Sequence, residues 1–207
     1  MNTTMKTRVI TAVAALVAGV ASAQQTSFVE RVSLEAGYGY NLALNPAEGI
    51  SSSDVSALKS IQAGANYHFN KIWGMRGTYM FNQFEVKDVA QQSLQVHKLA
   101  LEATYDITEA IQPNFNSKYK NGFSVEAHAG AGLSMGVSGV SEYSDDLMGN
   151  LQVGIMPLYH FDNQWAVFAD VTMTQYLKQN FNFNGAKALN DGQVLTFNVG
   201  VRYNFGK

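Results

Sequence analysis

The sequence predicts an all-β fold, a single antiparallel up-and-down β-barrel of about eight strands that crosses a membrane. Three observations carry that expectation. Polar and apolar residues alternate with period two along a series of separate segments. Charged residues make up 14% and aromatic residues 12% of the chain, whereas an ordinary soluble domain is about 25% charged. The first residues read as an export address. Mean hydropathy is -0.09, so apolar residues are interleaved with polar ones rather than gathered into the runs of about 20 that a spanning helix needs.

The address comes first in the chain. Lys6 and Arg8 form a basic start, Val9 to Val20 an apolar stretch, and Ala21-Ser22-Ala23 a small-x-small cleavage site. This pattern predicts a signal peptide over residues 1–23 and an exported barrel domain over residues 24–207. The apolar stretch is too short to span a bilayer comfortably, which argues against a membrane anchor.

Eight segments then alternate. On a strand, side chains point to opposite faces in turn, so lipid on one side and a polar lumen on the other impose period two. In the first segment Val32, Leu34, Ala36, Tyr38, Tyr40 and Leu42 oppose Ser33, Glu35, Gly37, Gly39 and Asn41. In the second, Ile61, Ala63, Ala65, Tyr67 and Phe69 oppose Ser60, Gln62, Gly64, Asn66 and His68. The third sets Met75, Tyr79 and Phe81 against Arg76, Thr78 and Asn82, and the fourth Leu99, Leu101, Ala103 and Tyr105 against Lys98, Glu102, Thr104 and Asp106. The fifth runs from Phe123 to Met135 with Glu126 and His128 on its polar side. The sixth carries Leu151, Val153 and Ile155 opposite Asn150, Gln152 and Gly154, and its Pro157 costs one ladder hydrogen bond and predicts a bulge or local bend. The seventh sets Trp165, Val167, Ala169 and Val171 against Asp170 and Thr172, and the eighth sets Phe197, Val199, Val201 and Tyr203 against Asn198, Gly200, Arg202 and Asn204.

Connector lengths alternate too. Long polar stretches (45–57, 85–92, 138–146 and 178–192) follow odd segments, and the short stretches 70–73 and 162–164 follow even ones. Long loops belong outside the cell and short turns in the periplasm. The connector 108–122 is long for a periplasmic turn, and nothing in the sequence accounts for it. The short-turn end carries Tyr67, Phe69, Trp73, Tyr105, Tyr159, Phe161, Trp165, Tyr203 and Phe205. Such rings settle at a membrane interface. A soluble lipocalin or sandwich would face its apolar residues inward and needs no such belt.

The polar faces place Glu35, Arg76, Lys98, Glu102, Asp106, Glu126, His128, Asp170 and Arg202 toward the lumen. In so narrow an interior charges must pair to offset desolvation, so mixed signs predict a plugging salt-bridge network. A gated pore lined by the same groups is the alternative. Inward Gly37, Gly39, Gly130, Gly132 and Gly154 are expected to make room for the long charged side chains.

Other chemistries are poorly supplied. There is no cysteine, hence no disulfide and no Cys-based metal site, and a net charge of -2 with scattered Lys and Arg excludes a nucleic-acid footprint. No cofactor is expected. An enzyme on such a barrel needs a nucleophile and base at the outer rim, where His97 with Ser93 nearby is the one candidate pair, and no nucleophile elbow or phosphate loop appears. Glu142, Asp145 and Asp146 read as solvated loop charges rather than ion ligands.

The stretch MGNLQVGIMPLYHFDNQWAVFADVTM from Met148 to Met173, the earlier VEAHAGAG from Val125 and the later Lys178-Gln-Asn-Phe181 resemble the strands of OmpA-type outer-membrane barrels of Bacteroidetes. The resemblance implies the cell outer membrane and an aromatic residue near the C-terminus that marks the chain for the insertion machinery, a place that Phe205 occupies with two residues after it. Many members continue into a peptidoglycan-binding domain. The barrel alone is expected here. The function that follows is a non-enzymatic contribution to envelope integrity, with a narrow ion or solute channel and a surface adhesin acting through loops 45–57 and 178–192 as alternatives. The expected partners are outer-membrane lipid and lipopolysaccharide, periplasmic chaperones and the barrel-insertion machinery. The expected state is a monomer.

Overall fold

The computed structural model describes residues 26–46, 50–86, 89, 92–111, 122–140, 145–187 and 191–206. The segment read as a signal peptide lies outside them, as do residues 112–121 of the long connector.

Eight strands form: β1 Val32–Ala43, β2 Ala57–His68, β3 Trp73–Glu85, β4 Ser93–Asp106, β5 Gly122–Ser138, β6 Asp146–His160, β7 Trp165–Leu177 and β8 Gln193–Asn204. Each pairs antiparallel with its neighbours in sequence, and β8 returns to β1 to close the barrel. Closure gives every strand a hydrogen-bonded neighbour on both sides, which a sheet in lipid requires because hydrocarbon offers no substitute partner. Lipid-level side chains alternate as the sequence demands: Leu101, Val153, Ile155 and Val199 are all more than half exposed on the outside, while Glu102, Gln152 and Asn198 are buried inside.

Strands run from 12 to 17 residues, longer than the roughly 9–11 that a tilted strand needs to cross a bilayer. The surplus extends mainly at the long-loop end. One bulge marks that end: between Gly39 and Asn41 the β1–β2 register shifts, and β2 carries the extra residue. The Asn41 side chain bridges it, donating to the carbonyls of Lys59 (3.2 Å) and Gln83 (3.1 Å) and accepting from the Ala57 amide (3.2 Å).

Both tight turns at the other end share one design. Asn70 Oδ1 accepts from the amides of Ile72 and Trp73, each at 2.8 Å, and Asp162 Oδ1 accepts from those of Gln164 (2.7 Å) and Trp165 (2.6 Å). These are Asx turns, in which a short polar side chain stands in for the missing backbone partner. The connector after β4 begins with a short helix, Ile107–Ile111. The aromatic residues of this end pair up as well, Trp73 with Tyr105 (4.7 Å between centroids) and Trp165 with Tyr203 (4.9 Å).

Two sequence expectations change. Of the bulge or local bend expected at Pro157, the register excludes the bulge. Pairing to β7 lapses at Met156 and Pro157 and resumes at Leu158–Phe168 in the same register, while pairing to β5 continues through Val125–Pro157. The inward glycines serve different neighbours. Gly154 does make room for a charged partner, since a Cβ there would meet His128 Nε2 at 2.4 Å. At Gly39 and Gly132 the obstacle would be backbone, Phe197 O at 1.8 Å and Leu99 O at 1.9 Å, so these glycines let adjacent strands approach closely.

Candidate functional site

Among the described residues, polar chemistry concentrates in the barrel interior, where it is layered along the axis. At the short-turn end, Ser124 lies 3.1 Å from His160 Nε2 and Ser33 lies 3.4 Å from His68 Nε2.

Above them sits the charged layer. Arg202 forks onto Glu126, with 2.5 and 2.9 Å contacts from its two terminal nitrogens, and also donates to Glu35 Oε2 at 3.1 Å. Arg76 donates to both oxygens of Glu102 (3.2 and 2.9 Å), to Glu35 Oε1 (3.2 Å) and to Asp170 Oδ2 (3.1 Å). Glu35 therefore bridges the two guanidinium groups. His128 joins the opposite side, its Nδ1 2.5 Å from Glu102 and its Nε2 3.2 Å from Asp170. These side chains come from β1, β3, β4, β5, β7 and β8, so the layer ties the wall together across its diameter. The arginines and their carboxylate partners are almost wholly shielded, with side-chain exposures of 0–1% apart from Glu126 at 8%.

Neutral groups complete the coordination. Thr78 donates to Glu102 (2.6 Å), Thr172 to Asp170 (2.6 Å), Gln62 to Asp170 (2.9 Å) and Asn66 to Glu35 (3.1 Å), and Asn198 holds Gln62 from behind (2.8 Å). The Met156 sulfur rests 3.7 Å from Arg76 and 3.8 Å from Arg202. A buried ion pair is tolerable only when its remaining lone pairs and protons find partners, and these residues supply additional donors to Glu35, Glu102 and Asp170.

Two of the sequence candidates stand apart. Lys98 is buried one level higher, where it donates to Thr174 Oγ1 at 2.7 Å and makes no ion pair among the described residues. Asp106 makes no ion pair among the described residues: at the end of β4, paired in register with Glu126, its Oδ1 accepts from the Glu109 amide at 2.7 Å and caps the first turn of the short helix. The remaining seven form one network. The supporting amides and hydroxyls were visible as inward polar residues, but nothing in the sequence says which of them touches a charge.

The sequence reading missed the upper closure altogether. At the long-loop end the interior turns apolar: Ala43, Phe84, Leu94, Val96, Met148, Tyr176 and Val194 from the strands pack with Val55, Phe181 and Phe183 from the loops. The rings of Phe84 and Phe183 meet at a tilt, 4.7 Å between centroids. The loop after β7 is pinned over this cluster. Asp146 accepts from the backbone and side chain of Asn180, both at 2.6 Å, Ser138 donates to Gly185 O at 2.8 Å, and Asn45 donates to Asp191 O at 2.8 Å. Gly185 takes φ 82, a left-handed conformation, at a place where a Cβ would stand 2.4 Å from Ser93 O. Asp146, expected to be solvated, is thus a buried anchor. Asp145 is exposed, and Glu142 lies outside the described residues.

His97 sits on the outer wall, its Nδ1 2.8 Å from the Tyr79 hydroxyl and its ring against Phe81. Neither ring nitrogen bonds a serine or a carboxylate among the described residues.

Comparison with known proteins agrees with this geometry. The family model "Outer membrane protein beta-barrel domain" matches residues 11–205. The chain belongs to that family. It is a protein of the cell outer membrane with an OmpA-type barrel, so the long loops face outward and the short turns the periplasm. Among solved structures, Neisserial surface protein A is similar at 13% identity with a TM-score of 0.54, covering 84% of this chain and 96% of that one. A major outer membrane protein from Thermus thermophilus is similar at 13% identity with a TM-score of 0.53, covering 83% of this chain and 97% of that one. At such identity these two report the fold alone. No curated protein matches the sequence.

Proposed function

We propose that this chain is a non-enzymatic envelope protein that contributes to outer-membrane integrity as a doubly closed barrel. The observation that carries the reading is the stacking of two unrelated seals: a charged layer centred on Arg76 at membrane level, and an apolar plug centred on Phe84 and Phe183 at the extracellular mouth. Either alone would obstruct a narrow lumen, the first by filling it with paired side chains and the second by excluding water.

The partners that fit are outer-membrane lipid and lipopolysaccharide around the wall, with periplasmic chaperones and the insertion machinery during assembly. The Tyr203–Phe205 ring pair, 5.0 Å between centroids, stands at the end of β8 where an insertion signal belongs. A closed ladder leaves no strand edge for self-pairing, which favours a monomer.

Surface binding through loops 45–57 and 178–192 is a weaker reading because both contribute to the plug, through Val55 and through Phe181 and Phe183. Deleting the gene should raise sensitivity to detergents and to large antibiotics, and the wild-type chain should restore resistance. Unchanged permeability together with loss of uptake of one small solute would favour a channel instead.

A further inference from the structure

Pro157 is a sequence signal that neither seal employs. Where it interrupts pairing with β7, opposite Asp170 and Ala169, the membrane-facing wall is dented. A groove of about 540 Å³ lies there, lined by Phe123, Pro157, Tyr159, Val167, Ala169 and Val199, with Gly200 and Phe168 behind them. The residue types explain the dent. Proline has no N–H with which to draw β6 and β7 together. Ala169 contributes one methyl group where its outward neighbours on β7 contribute valine side chains. The lumen side is closed behind the groove by the Phe168 ring, packed against inward-facing Gly200, where an added Cβ would stand 2.6 Å from Phe168 Cζ. The groove walls stand proud, with Phe123 and Tyr159 each 52% exposed and Val199 66%.

We propose that this groove seats one acyl chain of a periplasmic-leaflet phospholipid, held in preference to the lipid that covers the rest of the wall. No lining residue is charged, and the groove continues the apolar surface that the barrel already presents to hydrocarbon, so its occupant is a hydrocarbon chain. Its depth selects the leaflet. Phe123 and Tyr159 lie at the periplasmic ends of β5 and β6, and Val199 lies near the middle of β8. Lipopolysaccharide acyl chains occupy the opposite half.

The test uses the full chain in nanodiscs of phosphatidylethanolamine that carries a photoactivatable diazirine on one acyl chain, with cross-links mapped by peptide mass spectrometry. Labelling should concentrate on residues 157–159 and 167–169. It should fall by about tenfold in Ala169→Leu, which fills the floor, a change equivalent to about 1.4 kcal/mol of binding. Gly77→Leu is the control, because Gly77 on β3 has open space around an added Cβ. It should leave the labelling unchanged. Should Ala169→Leu fail to show the compact heat-modifiable band of a folded barrel, Pro157→Val supplies a second way to narrow the groove. Even labelling over all outward strands, or labelling indifferent to both variants, overturns the proposal. So does a cross-linked dimer through the β6–β7 face that Ala169→Leu abolishes, which would assign the groove to a second copy of the chain.

Discussion

The membrane level and the extracellular end of this barrel are built from the same strands with opposite polarity. On β3, Arg76 and Thr78 point inward while Met75 and Tyr79 face out; a few residues on, Phe84 is buried inside and Gln83 and Glu85 face out. β4 repeats the reversal, with Lys98 and Glu102 inside against Leu99 and Leu101 outside, and Leu94 and Val96 inside against Gln95 outside. β7 follows, passing from Asp170 and Thr172 inside to Tyr176 inside and Gln175 outside. In these three strands the pleat does not slip. What changes is the medium beyond the wall: against lipid the apolar side turns outward, and above the bilayer, where water lies outside, the barrel packs like a soluble one. The two ends are therefore stabilised differently, one by a network of paired, desolvated charges and the other by removing apolar surface from water.

Removing one partner of the charged layer should give the largest effect. Arg76→Ala leaves Glu35, Glu102 and Asp170 short of their shared cation, and a cost of about 3–5 kcal/mol is expected. Urea unfolding in phospholipid vesicles, followed by the heat-modifiable gel shift, measures it. Phe84→Ala should cost somewhat less, about 3 kcal/mol, because the covering loop can settle into part of the space; the same titration should show it, and limited proteolysis should now cut within 178–192. Asn70→Ala removes the acceptor of a periplasmic turn and should cost about 1 kcal/mol without changing protease sensitivity at the extracellular end. Smallest is Lys59→Ala, which breaks an exposed pair with Glu85 and should cost less than about 1 kcal/mol. If Phe84→Ala proved costlier than Arg76→Ala, the division between the two ends would have to be reversed.

How much of this was legible follows from the same contrast. Alternation located the membrane-level stretch of every strand, because lipid outside and charge inside give an unmistakable period, and Glu35, Arg76, Glu102, Glu126, His128, Asp170 and Arg202 could be read as inward for that reason. The plug was hidden because its alternation is inverted: Phe84 and Leu94, on either side of the polar stretch 85–92, lie on the face that carries polar residues at membrane level. Asp106 shares the inward register with Glu126 but uses its carboxylate for a helix cap, which alternation alone does not reveal. Phe181 and Phe183 carry no periodic signal, since their position depends on Gly185 and on the Asp146–Asn180 contacts. Pro157 was legible as an interruption, but only the register shows that it lapses without a shift.

Planar-bilayer conductance of the refolded chain tests the double closure most directly, using the wild type, Arg76→Ala, the pair Phe84→Ala with Phe183→Ala, and all three substitutions together. The wild type should be silent, each single seal should suffice to keep its variant nearly silent, and opening both should produce steady current. Stable unitary steps from the wild type, altered by Arg202→Ala, would contradict it and make the charged layer the lining of a working pore.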